Sequence, residues 1–331
     1  MTLTKVSFAP GVNKEGTEYT ADAGWFDSDK IRFRKGRVEK IGGWQKYTDQ
    51  SFLGVCRSLH NWSSLESINY LGVGTNLKFY VAEGAGYNDV TPLRLTTGAG
   101  DATFAATNGS STITVTENGH GAVVNDFVTF SSAASLGGLI TAAVLNQEYQ
   151  ITSVPTTNTF TITAKDTNGT EVIANSSDTG NGGSSTVAAY QINTGLNTFV
   201  QGTGWGAGTW SSGTWGSSSS IAAAGQLRLF SQDNFGEDLL FNVRGGGVYY
   251  WDESSGTGTR AIEIGSLAGA SNTPVVALKI LVSDVDQHVI AFGSNPIGSS
   301  TIDPLLVRFS DQENAADWTP TATNTAGGVR I

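Results

Sequence analysis

Two segments of this chain share one form: a short apolar strand, a turn that contains glycine, an aromatic strand and then an acidic residue. The first runs from Leu71 to Glu83 and the second from Leu240 to Asp252. Weaker versions follow at 289–293 and 305–311. Repeated antiparallel units of this kind are typical of propeller blades, which hide their sheet edges by radial packing. The repeat therefore predicts an all-β fold with a β-propeller-like body.

The composition favours the same class. The 331 residues include 42 Gly but only one Met, and few segments have a helical period, so short strands joined by many turns are expected. Further strands are predicted at 55–62, 68–73, 77–81, 227–230, 275–282 and 288–292. No apolar run approaches the roughly 18 residues of a membrane span. The N-terminal segment also lacks the apolar core of a secretory signal.

A change of composition near Leu95 marks an inserted domain. Between Thr96 and Tyr190 the only basic residue is Lys165. All four Asn-Gly pairs of the chain lie there, and Asn-Gly is the strongest short hairpin signal; they are Asn108-Gly109, Asn118-Gly119, Asn168-Gly169 and Asn181-Gly182. The runs between them alternate between apolar and polar residues, which predicts a small inserted β-barrel or sandwich at 96–191.

The other domain boundaries follow from this insertion. Residues 1–23 show no sustained periodicity and are expected to form an extended N-terminal arm. Residues 24–95 contain a basic hairpin and the first blade or blades, and residues 192–331 contain further blades. The chain ends while entering another strand, so the propeller is expected to be incomplete at this end or to be completed by a partner.

The basic hairpin is predicted from alternation around a turn. Ile31 and Phe33 alternate with Arg32 and Arg34, and the turn Lys35-Gly36 leads into a second strand that begins near Val38. Such alternation predicts one apolar and one cationic face. Nine of the 19 Lys and Arg residues lie between positions 5 and 46 against six acids, whereas the rest of the chain carries ten bases and 23 acids. A cationic head on an anionic body is typical of a protein that docks by its head.

The hairpin supplies the first candidates for an assembly interface: Trp25, Arg32, Arg34, Lys35, Arg37 and Trp44. The cationic row could bind DNA phosphates. Most of the chain is acidic, however, and would repel the same phosphates. We therefore favour a protein partner with acidic groups.

Three further candidates are Trp205, Trp210 and Trp215, which are spaced by five residues in a segment rich in Gly and Ser. This spacing matches neither the strand period of 2 nor the helix period of 3.6, so the rings are interpreted as anchors on an irregular loop. Exposed rings could stack on sugars of a host glycan, or the rings could be buried between subunits. The uncharged spacers favour a subunit interface.

No catalytic, cofactor-binding or metal-ligating residue is assigned. His60, His120 and His288 have no second histidine at metal-ligand spacing, and the sequence has neither a nucleophile elbow nor a phosphate-binding loop. Asp303, Asp311 and Glu313 could form a glycosidase pair, but turn capping is the commoner use of such acids. The lone Cys56 is expected to be a small buried residue, which excludes a disulfide framework.

Several of these segments together resemble the tail hub or nozzle proteins of short-tailed bacteriophages, the group known as packaged-DNA stabilisation or tubular tail proteins. The resemblance lies in the hairpin, the tryptophan loop, the segments 231–240 and 244–247, and the segments 303–313 and 317–320. The insert is similar to a small β module that recurs in phage virion proteins, around Asn118-Gly119-His120-Gly121 and 145–149.

The resemblance implies a structural, non-enzymatic virion protein without a cofactor. Six copies of a propeller subunit would form a ring below the portal and head-tail adaptor, with tail fibre, spike or needle proteins as further partners. Packaged double-stranded DNA would pass through the lumen without sequence-specific contacts, and the protein would be assembled in the host cytoplasm and reside in the virion tail. An acidic lumen would repel DNA phosphates over about 8 to 10 Å at physiological salt.

Two other functions stay open at this point. A receptor-binding tail module could contact host glycans through the tryptophan loop or the insert. A cell-wall glycosidase is the less favoured reading, because turn capping is the commoner use of acids such as Asp303, Asp311 and Glu313. Negative charge could also serve only to keep a β-rich protein soluble.

Overall fold

The computed structural model describes residues 9–15, 17, 19, 24–43, 45–46, 48–177, 181–195 and 229–331. The chain divides into two compact units, Met1–Asp49 and Gln50–Ile331. In the described residues, helix is limited to α1 (Ala142–Leu145) and two single 3₁₀ turns at Glu253–Ser255 and Ile264–Ser266. None of these helices has the length and apolar character to cross a membrane. The predicted all-β class is confirmed.

The first unit contains the predicted hairpin. It consists of β1 (Ile31–Arg34) and β2 (Arg37–Lys40), which pair antiparallel with Phe33 opposite Val38. The turn requires positive φ at both central residues, and Lys35 and Gly36 have φ values of 49° and 72°. A two-residue turn of this kind matches the twist of the strands that it joins. The sequence therefore fixes both the turn and the register.

The second unit begins with body sheet 1. This sheet contains β3 (Cys56–Ser63), β4 (Asn69–Thr75), β5 (Phe79–Glu83) and β6 (Gly86–Asp89). Its strands pair in chain order, each antiparallel to the next. Cys56 is exposed at the start of the edge strand β3, so the expectation that it is buried was wrong. An edge strand lacks a neighbour on one side, which leaves its first residues open to solvent.

The insert follows as a sandwich of two four-stranded sheets. One sheet has the order β11 (Glu148–Gln150), β10 (Phe127–Ser131), β14 (Val187–Gln191) and β7 (Leu93–Thr96). The other has the order β12 (Ser153–Thr156), β13 (Thr159–Thr163), β9 (Thr112–Thr116) and β8 (Thr103–Ala106). One core joins the two sheets and includes Phe104, Phe130, Tyr149, Phe160 and Tyr190. The described strands form no closed barrel, so of the two predicted forms the insert has the sandwich.

Two further body sheets follow the insert. Body sheet 2 contains β15 (Phe230–Phe235), β16 (Asp238–Val243), β17 (Val248–Trp251) and β18 (Ile262–Glu263). Body sheet 3 contains β19 (Lys279–Val282), β20 (Val289–Phe292), β21 (Leu306–Phe309) and β22 (Gly327–Arg330). Both are simple antiparallel meanders in chain order.

The three body sheets pack face on face with body sheet 2 in the middle. Strand β16 shows this best, because successive side chains of a strand point to opposite faces. Leu239 and Phe241 lie in the core shared with body sheet 1, whereas Leu240 lies in the core shared with body sheet 3. All three are fully buried. Consecutive four-stranded meanders stacked in this way have the form of propeller blades, so the propeller-like body is confirmed.

Candidate functional site

The hairpin carries the predicted cationic face. Arg32, Arg34, Arg37 and Glu39 project from one face of the strand pair, with Arg32 opposite Glu39 and Arg34 opposite Arg37. Arg32 Nε lies 3.3 Å from Glu39 Oε2. Arg34, Lys35 and Arg37 are exposed, and none of the three forms an ion pair with a described residue. The tip of the hairpin is therefore a cluster of uncompensated positive charges.

The opposite face of the hairpin is apolar and only partly covered. Trp25 packs edge-on against Phe33, with ring centroids 6.2 Å apart. Val38, opposite Phe33, keeps 43% of its surface exposed, and Ile41 just after β2 keeps 54%. The predicted candidates Trp44, Trp205, Trp210 and Trp215 lie outside the described residues. The other five candidates lie together in the first unit: Trp25, Arg32, Arg34, Lys35 and Arg37. Their role in assembly stays a prediction.

A groove of about 800 Å³ lies where the first strands of the three body sheets converge. Its lining comes from β3, β15 and β19 together with Leu229, Arg244 and Leu278. Arg244 and Lys279 are exposed, whereas His60, Gln232 and Asp233 are half-buried. No sequence pattern predicted this groove.

Side chains on one side of β15 bond to β3. Gln232 Nε2 donates to Ser58 Oγ over 2.6 Å. Asn234 Oδ1 lies 2.5 Å from His60 Nε2, and the His60 ring also stacks on Trp62 with centroids 5.9 Å apart. These contacts hold body sheet 1 against β15, the first strand of body sheet 2.

Side chains on the other side of β15 bond to β19. Ser231 Oγ accepts a hydrogen bond from Ile280 N (2.9 Å), and Asp233 Oδ2 accepts one from Val282 N (2.8 Å). Because β19 is an edge strand, its outward N–H groups would otherwise invite pairing with another chain. Alternating polar residues on β15 thus connect all three body sheets. The polar side chains that line the groove hold these sheets together.

A second polar cluster connects the insert to the body. Lys78, just before β5, keeps only 4% of its side chain exposed, and its Nζ lies 2.7 Å from Asp89 Oδ2 and 2.5 Å from Glu148 Oε2 of the insert. Arg260 lies 3.4 Å from Asp89 and 3.6 Å from Glu148. The Lys78 ammonium also lies 4.5 Å from the centroid of the Phe127 ring. Two cations and two carboxylates therefore share one partly buried site, in which each charged group has a partner of opposite charge.

The three histidines considered for catalysis, and the acids Asp303 and Asp311, have structural partners. Burial lowers the pKa of His120, whose Nδ1 accepts a hydrogen bond from Ala122 N over 3.0 Å. His288 Nδ1 donates to Ser310 O over 2.8 Å. Asp303 accepts a hydrogen bond from Leu305 N two residues on, as expected for a turn cap. Asp311 accepts one from Thr325 N, 14 residues away in the sequence. Among the described residues, no three His, Cys, Asp or Glu side chains lie close enough to hold a metal ion.

The site and fold together define an all-β protein of small antiparallel sheets with an exposed basic hairpin. No family model and no curated protein matches the chain. Among solved structures, the chain is similar to the phage phi92 endosialidase with a TM-score of 0.22 and 14% sequence identity, over 84% of this chain and 36% of that chain. The chain thus spans 36% of the length of that protein. At this level of similarity the comparison assigns neither a fold nor an activity.

Proposed function

We propose that this protein is a structural component of a bacteriophage tail that docks through its basic hairpin, as the hub or nozzle ring below the portal and adaptor. The observation that carries the proposal is the half-covered, cationic hairpin. A two-stranded hairpin alone is marginally stable in water. Its partly exposed apolar face and its unpaired cations both become favourable contacts when another surface covers them.

Charge complementarity favours an acidic protein surface as the covering partner. The part of the chain outside positions 5–46 carries ten bases and 23 acids, so a second copy of the chain offers such a surface. Head-to-body contacts of this kind are heterologous, and they close into a ring when the rotation between neighbours permits. A homo-hexameric ring in the virion tail is the form that we propose, with adaptor, portal, fibre, spike or needle proteins as further partners.

The proposed work of this ring is mechanical. It retains packaged double-stranded DNA and conducts the DNA during ejection, without sequence-specific contacts. The stacked meanders suit this role because sheets buried on both faces resist deformation. An acidic wall repels phosphate at short range, so a duplex would slide along it. The glycan-binding alternative depends largely on Trp205, Trp210 and Trp215, which lie outside the described residues.

The proposal is tested by the oligomeric state of the purified full chain. Light scattering and negative-stain images are expected to show rings, with or without adaptor protein. The double variant Lys35→Glu/Arg37→Glu is expected to abolish ring formation. The double variant Lys165→Glu/Lys279→Glu makes the same charge change at exposed positions of the insert and body sheet 3, and it should keep the rings.

Two results would contradict the proposal. The first is a strict monomer that never enters assembled tails in a complementation assay. The second is equal loss of rings in both double variants, which would mean that net charge alone controls assembly. Glycan-array binding that disappears in Trp210→Ala, with rings intact, would instead support the receptor-binding alternative.

A further inference from the structure

A second cavity, of about 350 Å³, lies beside body sheet 3 and is lined by one buried cation. Arg308 on β21 is only 3% exposed and forms part of the cavity wall. Thr273, Asn295 and Ser299 are its polar neighbours in the wall, and Val275 and Ile297 are apolar ones. The volume is at the lower end of the range found for small-molecule sites.

The hydrogen bonds of Arg308 go to backbone carbonyl groups. Its Nη2 donates to the carbonyl oxygens of Asn272 and Trp318, and its Nη1 lies 3.4 Å from the carbonyl oxygen of Asn295. A guanidinium has five N–H donors, so these three bonds leave two without a described acceptor. The guanidinium also lies 5.7 Å from the centroid of the Trp318 ring.

No carboxylate of the described residues pairs with Arg308. The acids that flank the cavity segments have other partners: Asp303 lies 3.1 Å from Arg330 Nε, and Asp317 accepts hydrogen bonds from Ser271, Thr319 and Asn324. Buried charges are normally paired, because desolvation penalises an isolated ion. The same desolvation lowers the pKa of Arg308. Arg308 therefore places an uncompensated positive charge at the wall of a small cavity.

We propose that this cavity is a binding site for a small organic carboxylate, with Arg308 as the counter-charge. The hydroxyl groups of Thr273 and Ser299 supply polar contacts for hydroxyls on the ligand, and Val275 and Ile297 cover its apolar atoms. The wall is held in place by Asn295, whose Oδ1 accepts from Val275 N (3.0 Å) and whose Nδ2 donates to Ser299 O (2.7 Å). The site does not depend on the proposed role in a tail.

Trp318 provides a local probe because its ring lies against Arg308. The experiment labels the full chain with ¹⁵N-tryptophan and follows the indole N–H signals, with the Trp318 signal assigned by its loss in Trp318→Phe. Sodium glycerate is titrated into the millimolar range expected for one charge-assisted contact. The Trp318 signal is expected to shift and saturate. Neutral glyceramide and sodium chloride at matched ionic strength should leave it unchanged.

Three variants separate binding from folding. Arg308→Lys keeps a charge but loses the planar donors, and is expected to weaken binding by about tenfold or more. Gly265→Val leaves Arg308 intact and narrows the cavity, since a Cβ there would lie 3.0 Å from Thr273 Oγ1. Lys279→Gln removes an exposed cation of the same body sheet and should bind as the wild type does. A wild-type Trp318 signal that never saturates with glycerate, or full binding by Gly265→Val, would overturn the proposal.

Discussion

The rings of Phe79 and Phe241 stack in parallel, with centroids 3.8 Å apart and 2° between their planes. Phe79 lies on body sheet 1 and Phe241 on body sheet 2, and both side chains are fully buried. This pair marks the centre of the contact between the two sheets. Aromatic packing therefore holds body sheets 1 and 2 together, since Trp62, Tyr70 and Trp251 lie in the same core.

Removing one ring of this pair should therefore weaken the whole body. Phe241→Ala is expected to lower the free energy of unfolding by about 3–5 kcal/mol, because it deletes a buried ring and leaves a cavity. Urea unfolding followed by tryptophan fluorescence measures this change. The insert contributes no tryptophan signal, and Trp62, Trp251 and Trp318 lie in the cores of the body. Leu65→Ala, at a side chain that is 89% exposed, is the control and should change stability by less than about 0.5 kcal/mol.

Gly72 and Gly74 of β4 lie where β15 of body sheet 2 approaches closely. Gly74 gives the clearer test. A Cβ at Gly74 would lie 2.5 Å from Phe230 Cδ2 and 2.6 Å from Ser58 Oγ. Gly74→Ala is expected to destabilise the body by about 1–3 kcal/mol through overpacking. Gly86→Ala is the matched control in the same sheet, since the nearest atoms would lie 3.9 Å away. Equal urea midpoints for the two variants would contradict this account of the close approach.

The sequence predicted the parts of the fold that depend on local pattern. The repeated segments 71–83 and 240–252 overlap equivalent pairs of central strands, β4 with β5 and β16 with β17. Their apolar and aromatic residues have a strand pattern whether or not a neighbour is present. The hairpin was predicted for the same reason, because alternation and a Lys35-Gly36 turn are both local signals.

The polar sites could not be predicted in the same way. Of the strand expected at 227–230, residues 227 and 228 lie outside the described residues, and Phe230 begins β15, Phe230–Phe235. Four residues of β15 are the polar run Ser231-Gln232-Asp233-Asn234. Such a run is normally typical of a loop, and only the neighbours β3 and β19 give it partners. The Lys78–Glu148 pair joins residues 70 positions apart, across the boundary of the insert. No local pattern specifies a contact of that range.

The cluster that joins insert and body should make stability depend on pH. Burial alone would raise the pKa of Asp89, but Lys78 and Arg260 outweigh that effect and hold the pKa below its ordinary value of 3.8. Because the folded-state pKa is the lower one, the stabilisation is fully present above pH 3.8 and is lost as the pH falls through the folded-state value.

The variant Asp89→Asn tests this dependence. It should be less stable than the wild type by roughly 2 kcal/mol at pH 7, somewhat less than for a fully buried pair because the Asp89 side chain is 23% exposed. The difference should shrink as the pH falls below 3.8. Asp284→Asn, at an exposed carboxylate, should follow the wild type at each pH. A constant difference between Asp89→Asn and wild type across this range would rule out the charge pairing as its cause.

Glu117 in the insert should show the opposite dependence. It is 5% exposed and accepts a hydrogen bond from the Tyr190 hydroxyl. Burial raises the pKa of Glu117 above its ordinary value of 4.5, even though the bond from Tyr190 acts in the other direction. Since the folded-state pKa is the higher one, the favourable contribution is fully present below pH 4.5 and is lost as the pH rises through the folded-state value. At neutral pH the buried carboxylate therefore costs stability.

Glu117→Gln is expected to relieve this cost, because a neutral amide can still accept from Tyr190. Hydrogen exchange of β14 is the suitable measurement, since Tyr190 lies on that strand, and protection factors remove the intrinsic effect of pH on exchange. Protection in Glu117→Gln should exceed that of the wild type at pH 7, and the two proteins should converge below pH 4.5. Glu171→Gln changes an exposed acid of the same insert and should leave β14 protection unaltered. If Glu117→Gln instead lowers protection at pH 7, the ionised carboxylate stabilises the insert and the assigned effect of burial is wrong.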